Sequence, residues 1–238
     1  MFLKLLISLI VLIFFYKYVR SMLIKISNMV ASRTLFKRNY PLLKVTSVIE
    51  LIFFIFTQFF FALILLRATD TSFEGLGILS IKPIYLLYGI LLGIGVSGVS
   101  AFLSQQIIFM LENNKISLHS SSTFSLRSRM KQHHAAKDLL PIYFWNILLL
   151  IQFSSEEFIF RGAFFHLFLN NGPIVAIVFS TFLFAVSEIF FIPPNITTLF
   201  PMVGTIVMGL THAYLFSQVP DIFPLIVSHL VYFIFIIL

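Results

Sequence analysis

Long apolar stretches alternate with short polar joints along the whole chain. A helical bilayer crossing takes roughly 20 mostly apolar residues. Seven stretches meet that length, near 2–19, 46–66, 83–111, 140–169, 173–192, 199–217 and 221–238. The last four are separated by turn-forming joints: Asn170-Asn171-Gly172-Pro173, Pro193-Pro194-Asn195 and Gln218-Val219-Pro220-Asp221. Joints this short set neighbouring helices antiparallel. The pattern predicts an all-α, polytopic transmembrane helix bundle of about seven spans. Residues 1–139 hold the N-terminal spans and basic loops, and 140–238 form a second, compact region.

Composition sharpens that picture. The chain is 59% hydrophobic and only 11% charged, whereas soluble domains carry about 25% charged residues. Its formal net charge of +7 would suit nucleic acid if the charges formed a patch, but they gather beside the spans instead. Lys17, Arg20, Lys25, Arg33, Lys37, Arg38 and Lys44 follow the first stretch, and Lys115, Arg127, Arg129, Lys131 and Lys137 follow the third. Lys and Arg beside membrane spans fix orientation and meet anionic headgroups. Nucleic acid is therefore not an expected partner, and the lipid bilayer is. The joint 67–82 is nearly neutral, which predicts an outside N-terminus and a cytoplasmic C-terminus. The first stretch lacks a small-residue cleavage pattern and reads as a retained signal anchor. With no cysteine, disulfides, thiolate metal sites and cysteine nucleophiles are excluded.

Two features of the N-terminal region have modest readings. Gly89 and Gly93 form a small-xxx-small pair, which predicts close helix packing within the bundle rather than a dimer interface. His119, His133 and His134 fall in the polar segment 112–139 and read as solvated loop histidines.

Candidate chemistry sits in the run PIYFWNILLLIQFSSEEFIFRGAFFHLFL, from Pro141 to Leu169. Glu156, Glu157 and Arg161 lie inside it, and each charge at mid-membrane costs on the order of 3 kcal/mol on insertion scales. Residues four apart share a helix face, so Glu157 and Arg161 are expected to pair. Glu156 is turned about 100° away and reads as the free carboxylate, a candidate general base for water. Glu188, near the end of the fifth stretch, and His229, in the last, are further candidates. His212 and His166 are weaker ones.

These residues carry a resemblance to the CPBP intramembrane proteases, which include type II CAAX prenyl endopeptidases, bacteriocin-processing and lysostaphin-resistance-like proteins. The family's E-E-x-x-x-R motif is matched by Glu156-Glu157-Phe-Ile-Phe-Arg161. Its F-x-x-x-H motif is matched by Phe184-Ala-Val-Ser-Glu188, with glutamate in place of histidine. Its H-x-x-x-N motif is matched by His229-Leu-Val-Tyr-Phe233, with phenylalanine in place of asparagine. The resemblance covers about 140–238. It implies that Glu156, with the second-motif residue, activates a water, and that His229 stabilises the oxyanion. It also implies a multi-pass protein of the bacterial cytoplasmic membrane. Family membership is associated with metal dependence. If a divalent metal such as zinc binds, Glu156, Glu188 and His229 are the residues to hold it.

The leading expectation is an intramembrane endopeptidase that hydrolyses a peptide or prenylated protein near the membrane. A catalytically impaired relative, serving as an immunity or scaffold protein, is the alternative that Glu188 and Phe233 raise. Ion-coupled transport ranks below both, because no pair of broken helices in matching halves is evident.

Overall fold

The computed structural model describes residues 1–33, 40–78, 82–113, 131–190 and 199–237. Eight helices run through them: α1 (Phe2–Arg33), α2 (Leu42–Ala68), α3 (Ile84–Asn113), α4 (Lys131–Leu139), α5 (142–169), α6 (Pro173–Ile189), α7 (Leu199–Gln218) and α8 (Phe223–Ile237). No strand occurs among the described residues. Two helices are interrupted by π-helical segments, α1 at Phe14–Val19 and α5 at Phe158–Phe164.

Helix limits follow local chemistry. Pro41 and Pro141 precede the first residues of α2 and α5, where a missing N–H costs nothing. Gly172, at φ +107°, and Pro173 at the first helical position turn the chain from α5 into α6, a backbone conformation that favours glycine. The Asp221 carboxylate accepts from the Phe223 N–H at 3.0 Å and caps α8.

Among the described residues, four helices are long and apolar enough to cross a bilayer: Phe2–Arg33, Leu42–Ala68, the stretch Ile84–Leu111 of α3, and Leu199–Gln218. Pro173–Ile189 and Phe223–Phe235 are apolar but shorter, and α5 carries its three ionisable groups at mid-length. The predicted all-α bundle is thus observed. Two details differ from expectation. The basic stretch after residue 19 is helix up to Arg33, so α1 is about 48 Å long at 1.5 Å per residue, beyond the hydrocarbon thickness of about 30 Å. His133 is also not a solvated loop residue. It lies on α4, is buried, and stands edge-on to Phe233 at 4.8 Å. His119, Lys37, Arg38, Lys115, Arg127, Arg129 and the joint Pro193-Pro194-Asn195 lie outside the described residues.

Packing explains how distant parts of the chain come together. α3 lies along α8 and α7, while α2 lies along α1, α4 and α5. Gly89 faces Val227 and the Pro224 carbonyl, and Gly93 faces Val231 and the Ser228 carbonyl, each within 3 Å of where a Cβ would stand. The glycine pair therefore brings α3 against α8 inside the bundle. Residues of the α5 π-segment, with Phe184, Met208, Phe216 and Leu225, form one apolar core that also takes in Phe15, Tyr16 and Phe54. A second, around Leu51, Ile55, Trp145 and Phe153, includes Phe233. The sides facing lipid expose Phe60, Ile64, Phe102 and Tyr143.

Candidate active site

The α5 helix delivers two adjacent carboxylates to the bundle interior, just before its π-segment. Glu156 is 8% exposed, Glu157 0% and Arg161 1%. Glu157 and Arg161 do pair, with Arg161 Nε 3.3 Å from Glu157 Oε2. The contact is an ion pair and falls outside hydrogen-bond geometry. Arg161 Nη2 also donates to the carbonyls of Met208 at 3.3 Å and Gly209 at 3.4 Å. Its guanidinium covers the Phe184 ring at 4.8 Å, a cation–π contact that ties the first family motif to the second.

Glu157 Oε1 collects two histidines from other helices. His229 Nδ1 stands at 2.9 Å and His212 Nδ1 at 3.1 Å. A carboxylate oxygen accepts, so both rings carry their proton on Nδ1. His212 Nε2 then accepts from the Ser228 hydroxyl at 2.9 Å. Glu157, His212 and Ser228 are all fully buried.

Glu156 faces elsewhere, as the helical period predicts, yet it meets the same histidine. Its Oε2 is 3.4 Å from His229 Nε2, and its Oε1 accepts from Gln152 Nε2 at 3.4 Å. His229 therefore bridges both carboxylates through its two ring nitrogens. Of the expected set, Glu156, Glu157, Arg161 and His229 are thus brought together from α5 and α8, while Glu188 stands on α6.

Residues 138–235 match the family model described as type II CAAX prenyl endopeptidase Rce1-like. That segment is similar to the CPBP intramembrane proteases. No curated protein and no solved structure matches the chain.

The CPBP frame clarifies the remaining positions. Phe233 packs against Phe153 at 4.9 Å, and Phe153 lies against the His229 ring at 4.5 Å. The turn of α8 after His229 is filled by aromatic rings, where the family's asparagine would bring an amide. His166 hydrogen-bonds the Gly162 carbonyl at 2.7 Å within its own helix and stays apart from the cluster. His212 is only a weaker candidate in the sequence, and Ser228 is not singled out there at all. Both lack a motif position, and only the crossing of α7 and α8 beside α5 gives them a role.

Among the described residues, no three His, Asp or Glu side chains are arranged to hold a metal ion. His229 Nδ1 is occupied by Glu157, and only its Nε2 faces Glu156. Glu156, Glu188 and His229, the residues named for a metal should one bind, do not form a three-ligand group among the described residues, and the chemistry below uses none.

Proposed function

We propose that this protein is an intramembrane endopeptidase of the CAAX type, in which Glu156 and His229 carry one proton between them. The single observation behind this reading is His229 standing between two carboxylates, with Nδ1 on Glu157 and Nε2 toward Glu156. Because Nδ1 holds its proton against Glu157, a neutral His229 presents a bare Nε2. With Glu156 ionised in the resting site, the single proton taken from water resides first on Glu156 and then on Nε2.

The sequence of steps follows from that geometry. Glu156 accepts a proton from water, and the water oxygen attacks the scissile carbonyl carbon. The proton moves on to His229 Nε2, whose N–H then faces the oxyanion. As the tetrahedral intermediate collapses, the C–N bond breaks and the amine leaves with that proton. Glu157 and Arg161 hold the histidine in position. The proposed substrate is the C-terminal peptide of a prenylated protein, reached from the cytoplasmic side, with the chain crossing the membrane seven times and its N-terminus outside. General acid–base groups contribute typically 10²- to 10⁴-fold. Glu156→Gln should therefore lower cleavage of a quenched farnesylated CAAX peptide in liposomes by about that factor, with the protein still folded. Unchanged cleavage would refute the assignment.

A second reading is supported by the aromatic cluster around Phe233. Losing an oxyanion donor costs about 10²- to 10³-fold in rate, and a chain lacking that amide would serve as a non-catalytic membrane scaffold or immunity protein. No turnover in the natural chain, with turnover appearing in Phe233→Asn combined with Glu188→His, would favour it.

A further inference from the structure

Three residues of α5 converge on one imidazole. Glu157 holds His229 Nδ1 at 2.9 Å, and Glu156 stands 3.4 Å from its Nε2. The third is Phe153, which precedes the two glutamates by three and four positions, spacings that place side chains on one flank of a helix. Its ring centre lies 4.5 Å from that of His229, with the planes only 33° apart, so the imidazole leans over the face of the benzene ring. Phe153 is 2% exposed and His229 5%.

The neighbouring rings keep this pair in place. Phe233, one turn after His229 on α8, meets Phe153 at 4.9 Å, so Phe153 rests across two successive turns of that helix. Phe184 of α6 reaches the same histidine at 5.9 Å but at 75°, and Arg161 covers its ring. Among the described residues, Phe153 is therefore the phenylalanine whose face is turned to the imidazole.

A buried phenylalanine is more often plain core filling. What sets this one apart is the charge that its neighbour acquires. His229 Nδ1 already carries a proton against Glu157, so a second proton on Nε2 makes the ring a cation. The negative face of an aromatic ring attracts a cation within about 6 Å of its centre, most strongly away from water. A neutral imidazole gains little from it. A contact that strengthens as the charge develops raises kcat and leaves KM nearly unchanged.

We propose that Phe153 is a positioning residue of the site, whose ring face holds the His229 imidazole and stabilises it when Nε2 takes its proton. The kinetic arm of the test rests on the hydrolytic reading above, and the spectroscopic arm does not.

Fluorine drains the ring face of electron density and nearly keeps its shape, so mono-, di- and trifluorophenylalanine at position 153 weaken the attraction stepwise. In the full-length protein in liposomes, kcat on the quenched farnesylated CAAX peptide should fall with each fluorine. The trifluoro protein should be about three- to thirtyfold slower, the scale of a desolvated cation–π contact. KM should stay within about twofold, and the melting temperature should not fall along the series. A core-filling role would leave kcat flat, and a flat series overturns the proposal. The second arm is nitrogen NMR on isotope-labelled histidine, with His229 assigned by loss of its signal in His229→Gln. Glu156 and Glu157 of α5 and His212 of α7 face the same ring, and fluorination leaves all three in place. At one pH where the natural chain shows both forms of His229, the doubly protonated share should shrink along the series. An unchanged share, or a His229 never doubly protonated at any pH, overturns the proposal whatever the kinetics. Should the natural chain and Glu156→Gln hydrolyse the peptide equally or not at all, the hydrolytic reading fails, and the NMR series alone decides for or against Phe153.

Discussion

Glu157 faces Arg161, His212 and His229 at once, whereas Glu156 has a long contact to one histidine and one from Gln152. The two glutamates should therefore respond differently to the same substitution. Removing one partner of a buried ion pair leaves a charge uncompensated and costs about 3–5 kcal/mol. Glu157→Gln is expected to destabilise the protein on that scale in thermal melts in detergent. Glu156→Gln keeps a hydrogen-bonding side chain and should cost only about 1 kcal/mol. Equal losses in the two variants would contradict this division. Because the site offers no three-ligand group among the described residues, treatment with 1,10-phenanthroline should leave the peptide-cleavage rate unchanged. A rate abolished by the chelator and restored by zinc would require a different proton path.

At the scale of elements, the position of His229 depends on how closely α8 approaches α3. A Cβ at Gly93 would lie 2.6 Å from Val231 and 2.7 Å from the Ser228 carbonyl, so part of that obstacle is backbone and cannot rotate away. Overpacking of this kind costs about 1–3 kcal/mol, and it would shift Ser228 and His229 together. Gly93→Leu should thus reduce both melting temperature and kcat, while Gly95→Leu, at a glycine with open space around it, should change neither.

A second element-scale effect concerns α4. Asp138 bonds Lys44 of α2 at 2.7 Å, and that hydrogen bond and charge hold its carboxyl below the ordinary carboxylate range. A lowered folded-state value means that the stabilisation is present above the unfolded value, about 4, and lost as pH falls through the folded one. Both groups are about half exposed, so the effect is small. Protection factors for hydrogen exchange at α4, corrected for the intrinsic rate at each pH, should be lower at pH 3 than at pH 6 in the natural chain, but equal in Lys44→Met.

The whole molecule behaves as one bundle around the site. The helix bearing His229 packs on α3, Leu66 of α2 fills the space beside Gly162, and α1 contributes Phe15 and Tyr16 to the main core. None of these partners lies within residues 138–235. Expressed alone, that segment should fail to give the melting transition of the full chain. Adding residues 1–113 as a separate polypeptide should restore folding. A stable, active fragment would show that the first three helices are dispensable.

Much of this was legible in the sequence, because the bilayer leaves few options. Apolar length sets where helices run, since backbone polar groups in lipid must bond within their own segment. The cost of charge in lipid marks Glu156, Glu157 and Arg161, and a four-residue spacing is enough to pair the last two. What the chain could not disclose is which residues meet across helices. His212 and Ser228 carry no local pattern, and His133 reads as part of a polar loop until α4 folds it onto Phe233. Tyr16 is 168 positions from Phe184, and only the packing of α1 on α6 puts both in one apolar core. Periodicity and transfer energy act within one helix and so are written in order along the chain. The crossing of helices depends on side-chain shapes matched between distant segments, and the tertiary structure alone decides it.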